Sequence, residues 1–309
     1  MRFRLKTFSR KGGFTIVEMV VVVAVVAILV GLMVPAITQV QKVAKTLAQK
    51  AQFASIEVGL ETFYNEKGNY PPSFINNAGI DYHGAEILAE AMVGMDGFGV
   101  HPDTVWDYEA NREPPFCPNP LYKPGIDLDP TLTSEDVEQN IASRKGPYLE
   151  PDKANAVRVG DIYSALPANT ARDTFVLADS FKKVTHVTGR YKTGMPILYF
   201  KARKNKTLHP KIHAGTMNYS NYIYSFKDNS DFNNAPTPFD GEEHPMSELS
   251  TVPSISSSGA MLFYLATRNP NYSDPWRPYN SESYILLSAG ADGYDGTDDD
   301  VYNFDRPKD

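Results

Sequence analysis

Residues 14–37 read FTIVEMVVVVAVVAILVGLMVPAI, an apolar run interrupted by a single carboxylate, Glu18. About 24 residues at 1.5 Å each give a helix of roughly 36 Å, enough to cross the hydrocarbon core of a bilayer. Immediately before it lie Arg2, Arg4, Lys6, Arg10 and Lys11, with no acidic residue in the first thirteen. That flank holds the N-terminal end in the cytoplasm and sends the rest of the chain across the membrane. A secretory signal peptide has a shorter apolar stretch and a small-x-small cleavage site. An ordinary signal anchor explains length and flank but not Glu18. A charge inside a membrane segment costs roughly 2.5 kcal/mol or more at mid-bilayer and usually marks a functional partner.

The segment Lys11-Gly12-Gly13-Phe14-Thr15-Ile16-Val17-Glu18 resembles the class III signal of type IV prepilins and type II secretion pseudopilins. The resemblance implies cleavage by a prepilin peptidase/methyltransferase after Gly13 and N-methylation of Phe14. It further implies that Glu18 neutralises the new N-terminal amine of a neighbouring subunit during assembly. In lipid an ammonium and a carboxylate strongly favour pairing over isolation, so Glu18 would set axial register. Gly31 and Pro35 are residues that membrane helices tolerate. Pro35 also removes a backbone hydrogen bond and can kink or locally melt the helix, as the family's equivalent proline is held to do.

Beyond Ile37, Val40, Val43, Ala44, Leu47, Ala51, Ala54 and Val58 continue a helical spacing among charged residues. A second line, Ile56, Leu60, Phe63 and Tyr64, is expected to face a globular head. Gly68-Asn69-Tyr70-Pro71-Pro72 ends the helix, Gly as cap and the prolines as block. The stretch Glu61 to Pro71 also resembles the end of a pseudopilin helix. The expected organisation is a leader at 1–13, a transmembrane and spine helix over 14–70, and a periplasmic head over 71–309.

Turn signals crowd residues 73–170, among them Pro114-Pro115 and Pro118-Asn119-Pro120, with short helices predicted at Ala85 to Val93 and Thr133 to Ala142. Strands are predicted at Thr174 to Ala178, Val184 to Tyr191, Pro196 to Ala202, Tyr222 to Phe226, Ala260 to Ala266 and Ser283 to Ser288, forming one antiparallel sheet. The fold class is α+β and pilin-like: a long N-terminal transmembrane helix packed on that sheet, with large loop insertions.

Removing the five basic charges of the leader from the formal −7 leaves −12 on the remainder, which argues against nucleic-acid binding. The lone cysteine, Cys117, forms no intramolecular disulfide. His209 and His213 have ligand-like spacing, but Pro210 between them opposes a shared helical turn. No nucleophile elbow, P-loop or dinucleotide turn is present, so no catalytic role is expected. The basic stretch Lys201 to Lys206 reads as a solvated turn or a partner surface.

Near the C-terminus, Asp292, Asp295, Asp298, Asp299 and Asp300 put five carboxylates into nine residues, interleaved with Gly293 and Gly296. Such a run is either a solvated acidic turn or a loop that curls around a hard cation such as Ca²⁺, which takes six to eight oxygens. The spacing is not that of an EF-hand. With Asp274-Pro275-Trp276 and Tyr279 upstream, the segment resembles the C-terminus of the major pseudopilin of type II secretion, where a comparable loop binds calcium. The resemblance implies Asp292, Asp298 and Asp300 as side-chain ligands, with Asp295 and carbonyls near Leu287 and Ala289 as supplementary donors. It departs from that family at Arg277, where Gly is common, and in the compressed run Asp298-Asp299-Asp300.

These readings point to a structural subunit of a type II secretion-like filament at a bacterial inner membrane. It would partner itself or other pseudopilins and an inner-membrane secretion platform. The alternative is a type IV pilin or minor tip subunit whose enlarged head binds a ligand.

Overall fold

The computed structural model describes residues 13, 15–77, 80–94, 97, 99–100, 134–164, 166–167, 169–170, 173–211, 219–248, 251–252 and 257–306. Phe14, the remainder of the leader, Cys117, Thr133, His213 and the proline-rich turns near 114–125 lie outside them. The chain forms two compact units, the first ending at Ala44 and the second beginning at Lys45.

In the first unit the described residues from Ile16 onward form a single helix, the opening of α1 (Ile16–Lys67). It is the helix, among the described residues, long and apolar enough to cross a membrane, with a window of mean hydropathy 3.1 and none of that window buried within the chain. A fully apolar, uncovered helix needs lipid or another apolar surface around it. The helix runs unbroken through Pro35, and the Thr38 hydroxyl donates to the Pro35 carbonyl at 2.8 Å.

The second unit begins on the same helix. Phe53, Ile56, Leu60 and Phe63 recur at three- and four-residue spacing and are buried, as one face of a 3.6-residue helix should be. The predicted inward line thus holds for Ile56, Leu60 and Phe63, while Tyr64 is half-buried. On the opposite line Val40, Val43, Leu47 and Val58 are exposed. The helix stops where expected: Gly68 adopts φ +75° and its N–H reaches the Tyr64 carbonyl at 2.8 Å.

After it come β1 (Phe74–Asn77), β2 (Ile80–His83), α2 (Gly84–Val93), α3 (Ser134–Ser143), α4 (Pro151–Ala154), β3 (Ala156–Arg158), α5 (Val159–Ile162), β4 (Phe175–Leu177), β5 (Val184–Thr185), β6 (Lys192–Thr193) and β7 (Leu198–Lys201). Then follow α6 (Ser230–Asn234), β8 (Thr251–Val252), β9 (Ser257–Ser258), α7 (Ala260–Thr267), β10 (Arg268–Ser273), β11 (Trp276–Pro278), β12 (Tyr284–Ser288) and β13 (Val301–Tyr302). The fold is α+β.

One sheet organises the head, β13-β12-β7, antiparallel throughout, with Leu287 opposite both Leu198 and Tyr302. Its two faces sort residues by parity, because successive strand side chains point opposite ways. Tyr284, Leu286, Ile197 and Tyr199 join Phe53, Ile56, Leu60 and Phe63 in one core. Ile285, Leu287, Leu198 and Phe200 join Phe263 and Tyr264 in another. The sheet is therefore buried on both sides, between the helical spine and α7.

Helix α2 is buried at every position, including Glu86 and Glu90. Its entry demands glycine: a Cβ on Gly84 would stand 1.9 Å from the Tyr199 carbonyl oxygen. Asn229 locks this crossing, donating from Nδ2 to that carbonyl at 2.7 Å and accepting the Ala85 N–H at 2.9 Å.

Three strand expectations are corrected. Ala260 to Ala266 is helix α7 rather than strand; its Ala, Met and Leu are strong helix formers, and near-complete burial erases the periodicity that separates helix from strand. Tyr222 to Phe226 holds only an isolated bridge, Leu208 to Tyr222, between 3₁₀ turns. Of Val184 to Tyr191, only Val184 and Thr185 pair as a strand, against Thr193 and Lys192. The single expected sheet is instead the three-stranded one with separate two-stranded ribbons.

Candidate functional site

Two places carry the sequence-predicted residues. At the helix start, Thr15 and Glu18 form a capping box. Glu18 Oε2 accepts the Thr15 N–H and the Thr15 hydroxyl, each at 2.8 Å, while the Glu18 N–H turns to Thr15 Oγ1 at 3.3 Å. Glu18 thus stabilises the first turn of its own helix as well as carrying the charge read from sequence. The signal for this was present as Thr-x-x-Glu before an apolar run. Gly13, the expected cleavage position, has open space around it, nothing lying within 4 Å of an added Cβ.

The second place is the turn between β12 and β13. Gly290, Gly293 and Gly296 all take positive φ, which lets the loop fold back on itself. Asp299 staples it: Oδ2 accepts the N–H groups of Ala291 and Asp292 at 2.7 and 3.0 Å, and Oδ1 the Thr297 hydroxyl at 2.7 Å. Burial works to raise the Asp299 pKa, but these bonds hold it below the usual carboxylate value. Sequence reasoning left Asp299 out of the ligand set, and its role as backbone acceptor accounts for that carboxylate.

The four predicted ligands differ. Asp292 Oδ1 accepts the Tyr294 N–H at 2.9 Å. Asp298 is exposed. Asp300 Oδ2 accepts the Gly296 N–H at 3.0 Å and the Tyr302 hydroxyl at 3.2 Å, whereas its Oδ1 is shut from solvent with no donor. Asp295 is likewise buried with an orphaned Oδ1. Its N–H donates to His244 Nδ1 at 2.9 Å, so that ring nitrogen offers no hydrogen to the Asp295 Oδ2 lying 3.2 Å away.

Burial, reinforced by the Asp295 carboxylate, pushes Asp300 well above its ordinary pKa. Asp179, unread in the sequence, belongs to the same corner: burial raises it to about 7, Asp295 adds to the rise, and the Ser288 hydroxyl donates to it at 3.1 Å. The Tyr163 hydroxyl is buried without a partner within the electrostatic reach of Asp295 and Asp179. This corner is a concentration of buried carboxyl groups with unfilled acceptor positions. The orphaned oxygens of Asp295 and Asp300 fit a hard oxygen-seeking cation. Among the described residues no three His, Cys, Asp or Glu side chains converge as a cage, so the four aspartates are not brought together around one point.

Upstream, the Asp274-Pro275-Trp276 element forms the bend of the β10–β11 ribbon. The Arg268 guanidinium lies 4.1 Å over Trp276, and Tyr279 stacks on Phe304 at 4.3 Å, fastening this ribbon beside the C-terminal strand. His209, the candidate for a histidine pair, donates Nε2–H to the Tyr264 carbonyl at 2.8 Å inside the core.

Compared with known families, residues 8–34 match the prokaryotic N-terminal methylation motif. No curated protein and no solved structure matches the chain. The motif marks the N-terminus as that of a type IV prepilin-like protein, a substrate type of prepilin peptidase, and with the apolar helix it fits a single-pass membrane-anchored chain.

Proposed function

We propose that this chain is a pseudopilin, a structural subunit of a type II secretion-like periplasmic filament, without catalytic activity. Cleavage after Gly13 and methylation of Phe14 prepare it, and the freed helix packs with copies of itself or other pseudopilins above an inner-membrane secretion platform. The observation that carries this reading is Glu18, one carboxylate in the first turn of a helix whose membrane-length apolar window none of the described residues covers. A carboxylate so placed gains most by pairing with the amine that cleavage creates. The head lies on the periplasmic side, as the basic flank directs.

In this reading the β12–β13 turn holds Ca²⁺, with Asp295 and Asp300 as the first donors. Asp292, Asp298 and backbone carbonyls complete the shell as the loop closes. The support is the pair of orphaned, buried carboxylate oxygens. A minor tip subunit is the second reading, favoured by a head of some 240 residues on one helix, which crowds a filament built only of this chain.

Intact mass of the membrane-extracted protein tests the proposal. Loss of residues 1–13 with one added methyl group supports it; retention of Met1 overturns it.

A further inference from the structure

A groove of about 620 Å³ opens where the end of α1 meets the turn after β7 and the β11–β12 connection. Its size falls within the range of ligand pockets. Tyr64 and Tyr70, whose rings lie 4.7 Å apart, line it together with Lys204, Lys206 and Arg277. The Lys204 amine stands 5.7 Å over the Tyr64 ring and Arg277 5.4 Å over Tyr272. Among the described residues none of these three cations has a carboxylate within salt-bridge distance, although Glu282 also lines the groove. Lys204, Lys206 and Arg277 thus gather three cations on one groove of a head that carries a net negative charge, and an anionic occupant complements them.

The chain itself displays a matching group. Asp240-Gly241-Glu242-Glu243 is exposed along its whole length and held in a defined turn, the Gly241 N–H bonding the Thr237 carbonyl at 3.0 Å and the Thr237 N–H the Glu242 carbonyl at 2.9 Å. Phe239 lies under the Lys183 amine at 4.9 Å, and the neighbouring Phe181 carbonyl accepts from Lys45 Nζ at 3.3 Å. Lys45 and Tyr64 are separated by about 28 Å along the helix at 1.5 Å per residue. The contacts of the acidic turn thus lead toward the Lys45 end of the spine and those of the groove toward its Tyr64 end.

We infer that the groove bounded by Tyr64, Tyr70, Lys204, Lys206 and Arg277 receives the acidic turn Asp240–Glu243 of a second copy of this chain. Such a contact is heterologous, joining different surfaces on the two partners, and its repetition builds an open helical array wherever the rotation between copies does not close into a ring. It rests on the filament reading for its setting. The contact supplies a charge register between heads, separate from the register that Glu18 gives the helices. Arg277, which departs from the resembled family's pattern, acquires a role as one of the recognising cations.

Disulfide trapping in native membranes tests this with the full chain in a Cys117→Ser background. Thr207→Cys with Glu242→Cys should yield, on oxidation, a ladder of dimers, trimers and higher multiples, and neither single cysteine should. Lys206→Glu with Arg277→Glu should cut the ladder at least about tenfold, the scale of 1.4 kcal/mol, and adding Glu243→Lys should recover part of it. No ladder from membranes whose filaments still sediment in a Glu18-dependent way overturns the contact and leaves the filament reading standing. Absence of both ladder and filaments overturns both.

Discussion

The Glu18 carboxylate accepts both hydrogens that Thr15 offers, its N–H and its hydroxyl, at 2.8 Å each. The same group therefore caps its own helix and holds the charge available to a neighbour. Glu18→Gln separates these roles, since the amide oxygen retains an acceptor for Thr15 while the charge is gone. Helicity and cleavage after Gly13 should persist, and incorporation into sheared filaments should fall to background. Incorporation at the parent level would remove the ion-pair role.

Phe63 is buried between the helix and the sheet, whereas Val58 on the same helix is 68% exposed. Phe63→Ala should lower the unfolding free energy of the head by about 3–5 kcal/mol. Val58→Ala should change it by less than about 0.5 kcal/mol. Denaturant unfolding of the two variants side by side provides the measurement, with filament yield of Val58→Ala reporting whether that exposed face is used in assembly.

Burial holds the His209 pKa at about 4, Arg268 adding to the depression and the Tyr264 carbonyl opposing it. Protonation would fall on Nδ1, which has no partner in the core. The unfolded chain, with an ordinary value of 6.5, takes up the proton first, so stability is lost as pH falls from about 6.5 to 4, by about 3 kcal/mol at most. His83 works the other way: burial lowers it, but Glu86, Asp231 and Asp81 outweigh burial and raise its pKa, so its contribution is present in acid and fades as pH rises. His209→Gln keeps a donor for Tyr264 and should flatten the acid loss relative to the parent. An unchanged difference between pH 7 and pH 4.5 would disprove the assignment.

Asp300 faces Asp295 in a buried corner without cation neutralisation from its own loop. Asp300→Asn should raise the melting temperature in chelator, by relieving repulsion, and abolish the further rise that calcium gives the parent. Equal melting of the parent with calcium and with chelator would eliminate the calcium reading.

The sequence by itself determined the helix and its ends. A run of apolar residues needs no tertiary context to be helical in lipid, Thr15 and Glu18 cap it locally, and Gly68 with Pro71 and Pro72 stops it. The inward face at Ile56, Leu60 and Phe63 was legible because one side of that helix is solvated and periodicity survives. Around β12, both faces are buried, so Tyr284 to Ser288 reads as an apolar run that names a strand but not its neighbours. In α7 the same burial hides the helical period, and the sequence reads equally well as strand. The acidic loop showed its charge in sequence. Only the folded chain decided that Asp299 is spent on backbone N–H groups, that Asp298 faces solvent, and that Asp179, more than a hundred residues away, shares the corner with Asp295. Local chemistry is written in adjacent residues, while the partners of a buried polar group are fixed by which distant segments the packing brings beside it.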